Sequence, residues 1–259
     1  MNILLVGDIF SKLGRKAFKE ALTELRNEYT INFIVANGEN ISHGRGMNEA
    51  HYKWLLENGV NVITMGNHTY QNGQIFNYID DAQNLVRPAN FNDEAKGRGY
   101  TVVKYNNIKI CVLQVIGTVF MAPNNKNPFI TAQELIDNVE ADIYICDFHG
   151  EATSEKIAFG YAFDGKINII FGTHTHVQTN DARILSKGSA YISDLGMCGS
   201  FDGVIGIKKE IIVARNFNPT DQTPFEPLDT GKYQFSGMLV DIDERTKVIR
   251  SVKPLHIVK

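Results

Sequence analysis

Five short apolar runs punctuate the chain, and each breaks into a polar cluster. Ile3-Leu4-Leu5-Val6 runs into Gly7-Asp8, Phe33-Ile34-Val35-Ala36 into Asn37-Gly38-Glu39-Asn40, and Val62-Ile63-Thr64-Met65 into Gly66-Asn67-His68. Ile143-Tyr144-Ile145-Cys146 leads to Asp147-Phe148-His149-Gly150, and residues 167–171 lead to Gly172-Thr173-His174-Thr175-His176. Runs of this length predict strands covered on both faces. Helical periodicity lies between them. From Leu13, apolar residues recur at Ala17, Ala21 and Leu25, with Phe18 and Leu22 on the same face. Further helices are expected over about 48–58, closed by Gly59, and over about 153–163. Strand, polar loop and helix in repetition predict a parallel or mixed sheet inside an α/β layered domain.

The middle of the chain changes character. Residues 101–105 and 108–115 flank Asn106-Asn107, which predicts an antiparallel hairpin. The loop 118–128, with Pro123 and Asn124-Asn125, is a candidate lid on the substrate side. Thr131-x-x-Glu134 reads as a capping box opening a helix toward Val139. Residues 189–192 read as a strand, 194–206 as a glycine-rich loop near the site, 216–231 as irregular, and 237–242 with 248–255 as a closing hairpin. No fixed-period repeat and no linker interrupts residues 1–259, so one domain is expected.

Composition narrows the possibilities. A formal charge of −3 over 259 residues argues against a broad basic footprint for an extended nucleic acid, while leaving room for a small anion gripped by metal. The three cysteines are widely spaced, and Cys111 and Cys146 sit inside apolar runs, as core residues of a reducing compartment do. The chain opens on a strand rather than a basic leader, and no apolar run reaches membrane-spanning length. The expectation is a cytoplasmic protein with no membrane partner, compatible with assembly as a homo-oligomer.

The polar clusters carry the chemistry. In α/β sheets, ligands collect beyond the carboxyl ends of the strands. There stand Asp8, Glu39, Asn40, Asn67, His68, His149, His174 and His176, each able to bind a metal or transfer a proton. In an extended segment His174 and His176 would point to one side, as two imidazoles aimed at one point. Taken singly, Asp8 reads equally well as a helix cap, Asn67 as a turn residue and His149 as a core histidine. As a set, carboxylates, amides and imidazoles without a thiolate suit manganese, iron or magnesium better than a four-coordinate structural zinc. The set exceeds the needs of one ion. Two ions about 3.5–4 Å apart, sharing one carboxylate and a hydroxide, would use it.

The ordered motifs Gly7-Asp8, Gly38-Glu39-Asn40, Gly66-Asn67-His68, His149 and Gly172-Thr173-His174-Thr175-His176 resemble the calcineurin-like metallophosphoesterase superfamily. The chain departs from the usual pattern at Phe10, where a histidine is common, at Glu39, where the bridge is commonly Asp, and at Thr69, often acidic. Glu39-Asn40 together with Asp147-Phe148-His149 is similar to the bacterial YmdB-like branch. The resemblance implies a layered α/β/β/α metallophosphoesterase fold, with a mixed β-sheet core flanked by helices. It implies two divalent ions, iron or manganese first, with magnesium or zinc also compatible. Asp8, Glu39, Asn40 and His176 would hold one ion, and Glu39, Asn67, His149 and His174 the other. Asn40 would replace the histidine missing at Phe10, and His68 would protonate the leaving oxygen. The implied activity is metal-dependent hydrolysis of a small phosphodiester, a 2′,3′- or 3′,5′-cyclic nucleotide, by a dinuclear-metal-activated hydroxide. The rivals are a regulatory protein holding RNA or a phosphorylated ligand with little turnover, and a phosphomonoesterase or nuclease of the same superfamily. Arg15, Arg45 and Lys126 are candidate phosphate contacts or simply solvated charges, and Cys198 is a candidate pocket residue.

Overall fold

The chain builds one sheet, crosses to a second, and returns to finish the first. The computed structural model describes residues 1–122 and 125–259; Pro123 and Asn124 of the expected lid lie outside the described residues. β1 (Asn2–Val6) is followed by β2 (Asp8–Ile9), α1 (Ser11–Glu28), β3 (Ile31–Asn37), α2 (Glu49–Glu57), β4 (Val62–Thr64) and β5 (Leu85–Val86). The second sheet takes β6 (Tyr100–Tyr105), β7 (Ile108–Ile116), β8 (Ile143–His149), β9 (Ile169–Thr173), β10 (Arg183–Ile184) and β11 (Ala190–Ile192). α3 (Pro128–Asn138) and α4 (Thr153–Ala162) connect its parallel strands. β12 (Met197–Ser200), β13 (Tyr233–Ile242) and β14 (Ile249–Val258) rejoin the first sheet, with α5 (Lys209–Phe217) between them.

Period-two alternation explains how the layers stack. In β1, Ile3 and Leu5 face one apolar cluster while Leu4 and Val6 face another. The first cluster lies between the sheets, setting Phe33, Val35 and Val62 against Ile110, Val112, Ile145 and Phe171. The second packs α1 through Phe18, Leu22 and Leu25, and α2 through Leu55, onto the outer face of the first sheet. A third packs Ala132 of α3 and Phe159 of α4 onto Cys111, Cys146 and Phe148 of the second sheet. The result is the expected α/β/β/α sandwich. Both sheets are mixed: β1, β3, β4 and β5 run parallel, β13 antiparallel to β1; β7, β8, β9 and β11 run parallel, with β6 and β10 antiparallel at the edges.

Four local expectations are corrected. The helix expected to open at Thr131 begins at Pro128, because the Asn127 side chain accepts from the Phe129 and Ile130 amides and Pro128 presets the first turn. The stretch 194–206 is not all loop: β12 lies within it, paired parallel to β2 and antiparallel to β13. α5 was not expected, and its last residues overlap the stretch read as irregular; none of its residues is buried, so it carries little apolar periodicity to read. Asp8 and His149 sit within strand ends rather than in loops beyond them. No helix among the described residues is long and apolar enough to cross a membrane.

Candidate metal centre

The two sheets meet the site from opposite sides. From the first come Asp8 in β2, Glu39 and Asn40 in the turn after β3, and Asn67 and His68 in the turn after β4. From the second come His149, the last residue of β8, and His174 and His176 beyond β9. All eight side chains expected from the sequence gather at one end of the sandwich. Glu39 sits between two halves: its Oε1 lies 3.2 Å from His149 Nε2 and 3.3 Å from Asn40 Nδ2. On one side, His149 Nε2 is also 2.8 Å from Asn67 Oδ1 and 3.1 Å from His174 Nδ1. On the other, Asn40 Nδ2 is 3.1 Å from His176 Nε2 and 3.4 Å from Asp8 Oδ1, and His176 Nε2 lies 3.6 Å from Asp8.

The histidine pair does not aim at one point, as an extended segment would have it. His174 and His176 lie past the end of β9 with φ of 102° and 65°, in the left-handed region, so the pleat does not aim them. The reversed backbone turns them apart, His174 toward His149 and His176 toward Asp8. Two glycines make room. A Cβ on Gly66 would overlap Glu39 Oε2 and the His149 ring, and one on Gly172 would overlap the Ser193 carbonyl oxygen.

Each imidazole is tied at its far nitrogen. His149 Nδ1 lies 2.9 Å from Thr173 Oγ1, which in turn donates to buried Asp147 at 2.7 Å. His174 Nε2 is 3.1 Å from Glu151 Oε2, and His176 Nδ1 is 2.9 Å from the Ile205 carbonyl oxygen. Acceptors at these outer nitrogens favour a proton there and leave a lone pair on the inner one. Lone pairs of three imidazoles, two carboxylates and the Asn67 amide oxygen therefore face one another. That donor set fits divalent cations, and Glu39, His149 and His174 alone bring three ligand atoms within 4.8 Å of one another. Asn40 points an amide nitrogen at three acceptors; the oxygen of the same amide is the atom an ion would take.

The electrostatics favour protons on two of these imidazoles, which a cation taking their lone pairs would have to displace. Burial disfavours charge on Asp8 and Glu39, yet the charges and hydrogen bonds of His176 and His149 hold both carboxyls below the usual range. Burial also opposes protonation of His176, but its hydrogen bond with Asp8 prevails and pushes it up to about 9; His149 is raised likewise by Glu39. His174, buried and beside His149, is pushed down to about 3 and is neutral at ordinary pH. Asp147 is lifted to about 6 by burial, with the charge of His149 and hydrogen bonds from Thr64 and Thr173 working against it.

His68 is placed differently. Its backbone amide donates to Glu39 Oε2 at 2.9 Å, its Nε2 is 3.4 Å from Asn67 Nδ2, and its Nδ1 is buried with no hydrogen-bond partner among the described residues. Phe10 occupies the place of a common ligand as a packing residue, edge-on to the His176 ring at 5.7 Å. Cys198 is corrected as a pocket residue: it is buried in the core behind α1, bonded to the Ser236 carbonyl. Arg15 reaches the Ile41 carbonyl at 2.6 Å, Lys126 pairs with Asp93, and Arg45 is exposed. Glu151, Thr173 and the buried pair Lys156–Asp194, at 2.7 Å, escaped the sequence reading. Only the adjacency of Glu151 and Thr173 to the histidines could have flagged them.

Comparison with known proteins identifies a family. Residues 4–255 match the family described as YmdB-like protein. The chain is 45% identical over 249 residues to the 2′,3′-cyclic-nucleotide 2′-phosphodiesterase of Bacillus subtilis (strain 168), an alignment covering 95% of this chain and 93% of that protein. A crystal structure described as a novel phosphatase from Mycoplasma pneumoniae superposes with a TM-score of 0.94 at 39% identity, over 100% of this chain and 93% of that one. That of a putative 5′-nucleotidase from Staphylococcus aureus superposes with a TM-score of 0.63 at 14% identity, over 98% of this chain and 53% of that one, a likeness of fold alone.

Proposed function

The chain belongs to the YmdB-like protein family, and from that premise we propose that it is a metal-dependent phosphodiesterase acting on small nucleoside cyclic phosphates, the 2′,3′-cyclic ones first. The observation that carries this reading is Glu39 Oε1, set between His149 Nε2 at 3.2 Å and Asn40 Nδ2 at 3.3 Å, the position of a shared ligand. Asp8, Glu39, Asn40 and His176 would hold one divalent ion, and Glu39, Asn67, His149 and His174 the other, with iron or manganese favoured by the mixed oxygen and nitrogen donors. Bound there, such ions supply positive charge to a phosphate and acidify water. We take residues 1–259 as one metallophosphoesterase domain, since each sheet contributes part of the cluster.

The chain's own residues supply orientation and a proton. The ties from Thr173, Glu151 and the Ile205 carbonyl hold the three imidazoles in place. Because the Asn67 amide nitrogen faces His68 Nε2, the neutral ring carries its proton on Nδ1, where no group among the described residues accepts it. Nδ1 is shut off from solvent, so the ring would have to turn to bring that proton to a leaving oxygen, and in giving it up would play the part of a general acid. The test is turnover by metal-loaded protein of 2′,3′-cyclic nucleotides beside nucleoside monophosphates. Cyclic diesters should turn over faster, and Glu39→Ala should abolish the reaction. Faster turnover of monoesters would assign a phosphomonoesterase, and none of either would leave a binding protein.

A further inference from the structure

The molecule carries an open cleft of about 490 Å³, lined by Tyr70, two residues beyond His68, and by Phe76, Phe91, Asn92, Lys96 and Asn125 among others. We propose that this cleft is a base subsite, holding the nucleobase of the substrate by stacking on the ring of Phe76 while its phosphate lies at the cluster. The inference rests on the phosphodiesterase reading above, and adds to it the side on which the nucleoside lies.

The argument begins with the loops. Three segments contribute to the cleft: the one after β4, the one after β5 and, through Asn125 among its described residues, the one after β7. The first also carries Asn67 and His68. Thr69 N–H donates to the Gly66 carbonyl and Gln71 N–H to the His68 carbonyl, so residues 66–71 form one tight turn. Two residues of chain span at most about 7 Å, so the Tyr70 backbone stands within that distance of His68. The third segment begins at the metal cluster too, for Gly117 N–H donates to the His149 carbonyl. Hydrogen bonds hold the segments together: Tyr70 Oη donates to the Lys96 carbonyl, and the buried Asn90 amide to the carbonyls of Ile116 and Lys126.

The chemistry of the cleft selects a flat, π-faced ligand with polar edges. Tyr70 and Phe76 are stacked at 5.3 Å with their planes 8° apart, and Phe91 tilts against Tyr70 at 5.9 Å. Tyr70 is partnered by two rings, whereas Phe76 is 46% exposed and has Tyr70 as its one aromatic partner among the described residues. Stacking on such a ring suits every base. Asn92, Asn125 and Lys96 around it offer donors and acceptors for a base edge. A second cleft, which the cluster residue His176 itself lines with Gln178, Gln234 and His256, has no Phe, Tyr or Trp among its described lining residues.

The test compares base-bearing with base-free ligands, using the metal-loaded full chain. Calorimetry would measure binding of adenosine 3′-monophosphate and ribose 5-phosphate, and kinetics the hydrolysis of adenosine 2′,3′-cyclic phosphate and ribose 2′,3′-cyclic phosphate. Wild type should prefer the base-bearing member of each pair by about tenfold, the usual worth of one base stacked on an aromatic ring. Phe76→Ala should erase that preference, chiefly through Kd and KM, whereas Phe76→Tyr should keep it; Phe91→Ala, which loosens the stack from behind, should weaken it. A wild type indifferent to the base, or a Phe76→Ala protein that loses equally on both ligands, overturns the subsite. Should no cyclic phosphate turn over, the phosphodiesterase reading fails separately, and the calorimetric preference still decides the subsite.

Discussion

His68 differs from the other histidines of the site in having a buried nitrogen with no partner among the described residues. If that nitrogen delivers a proton, its removal matters most where the leaving oxygen is basic. His68→Ala should retain metal by elemental analysis and lose about 10²- to 10⁴-fold in rate on a cyclic nucleotide, with a much smaller loss on a p-nitrophenyl ester. An equal deficit on both would assign it to positioning. His51, on α2, titrates for a different reason. Burial first, and the charge of Arg15 next, push it down to about 4, and neutral Nδ1 lies 2.7 Å from Ser42 Oγ, which itself accepts from the Asn48 amide. With the folded value below the ordinary 6.5, the unfolded chain binds the proton first as pH falls. The stability contributed by neutral His51 is therefore complete above pH 6.5 and is lost on the way down to about 4. Melting temperature against pH should fall less steeply for His51→Gln than for wild type in that window; parallel curves would refute the assignment.

At the scale of elements, the segment carrying His174 and His176 is clamped from below by charge. Lys156 of α4 donates to Asp194, just past β11, and to the Thr173 carbonyl at 2.8 Å; Asp194 in turn accepts from the Thr175 and Gly196 amides. Both side chains are inaccessible to solvent, at 1% and 0% exposure. Removing one member leaves the other charge buried and unpaired, which costs about 3–5 kcal/mol. Lys156→Met should lower unfolding free energy in urea by about that much, and a change below about 1 kcal/mol would mean that water reaches Asp194. The same clamp accounts for a turn the sequence could not announce. Left-handed backbone at two histidines is strained by itself and persists because α4, β9 and β11 overdetermine it.

For the molecule as a whole, the site closes only when both sheets are in register, so ligand binding and folding are one equilibrium. A ligand that binds only the folded chain stabilises it by about 2.7 kcal/mol at one hundred times its Kd. Adding manganese or ferrous iron to chelated protein should raise its melting temperature. Glu39→Ala should abolish the rise and empty both positions by elemental analysis, whereas His176→Ala should keep a smaller rise; wild-type metal content in Glu39→Ala would remove Glu39 from its shared role. Much of this assembly was legible beforehand. Apolar runs of four or five residues determined which segments become buried strands, and the polar clusters ending them named the eight side chains that gather, because the hydrophobic period and the strand-end position are local properties of the chain. Which strands join which sheet, the pairing of β2 with β12, the outer tie on each imidazole and the cleft of Tyr70, Phe76 and Phe91 were decided only in three dimensions. Each of these joins residues far apart in sequence, Asp8 with Met197 or Tyr70 with Phe91, and no local pattern records a partner that the chain meets only after it has folded.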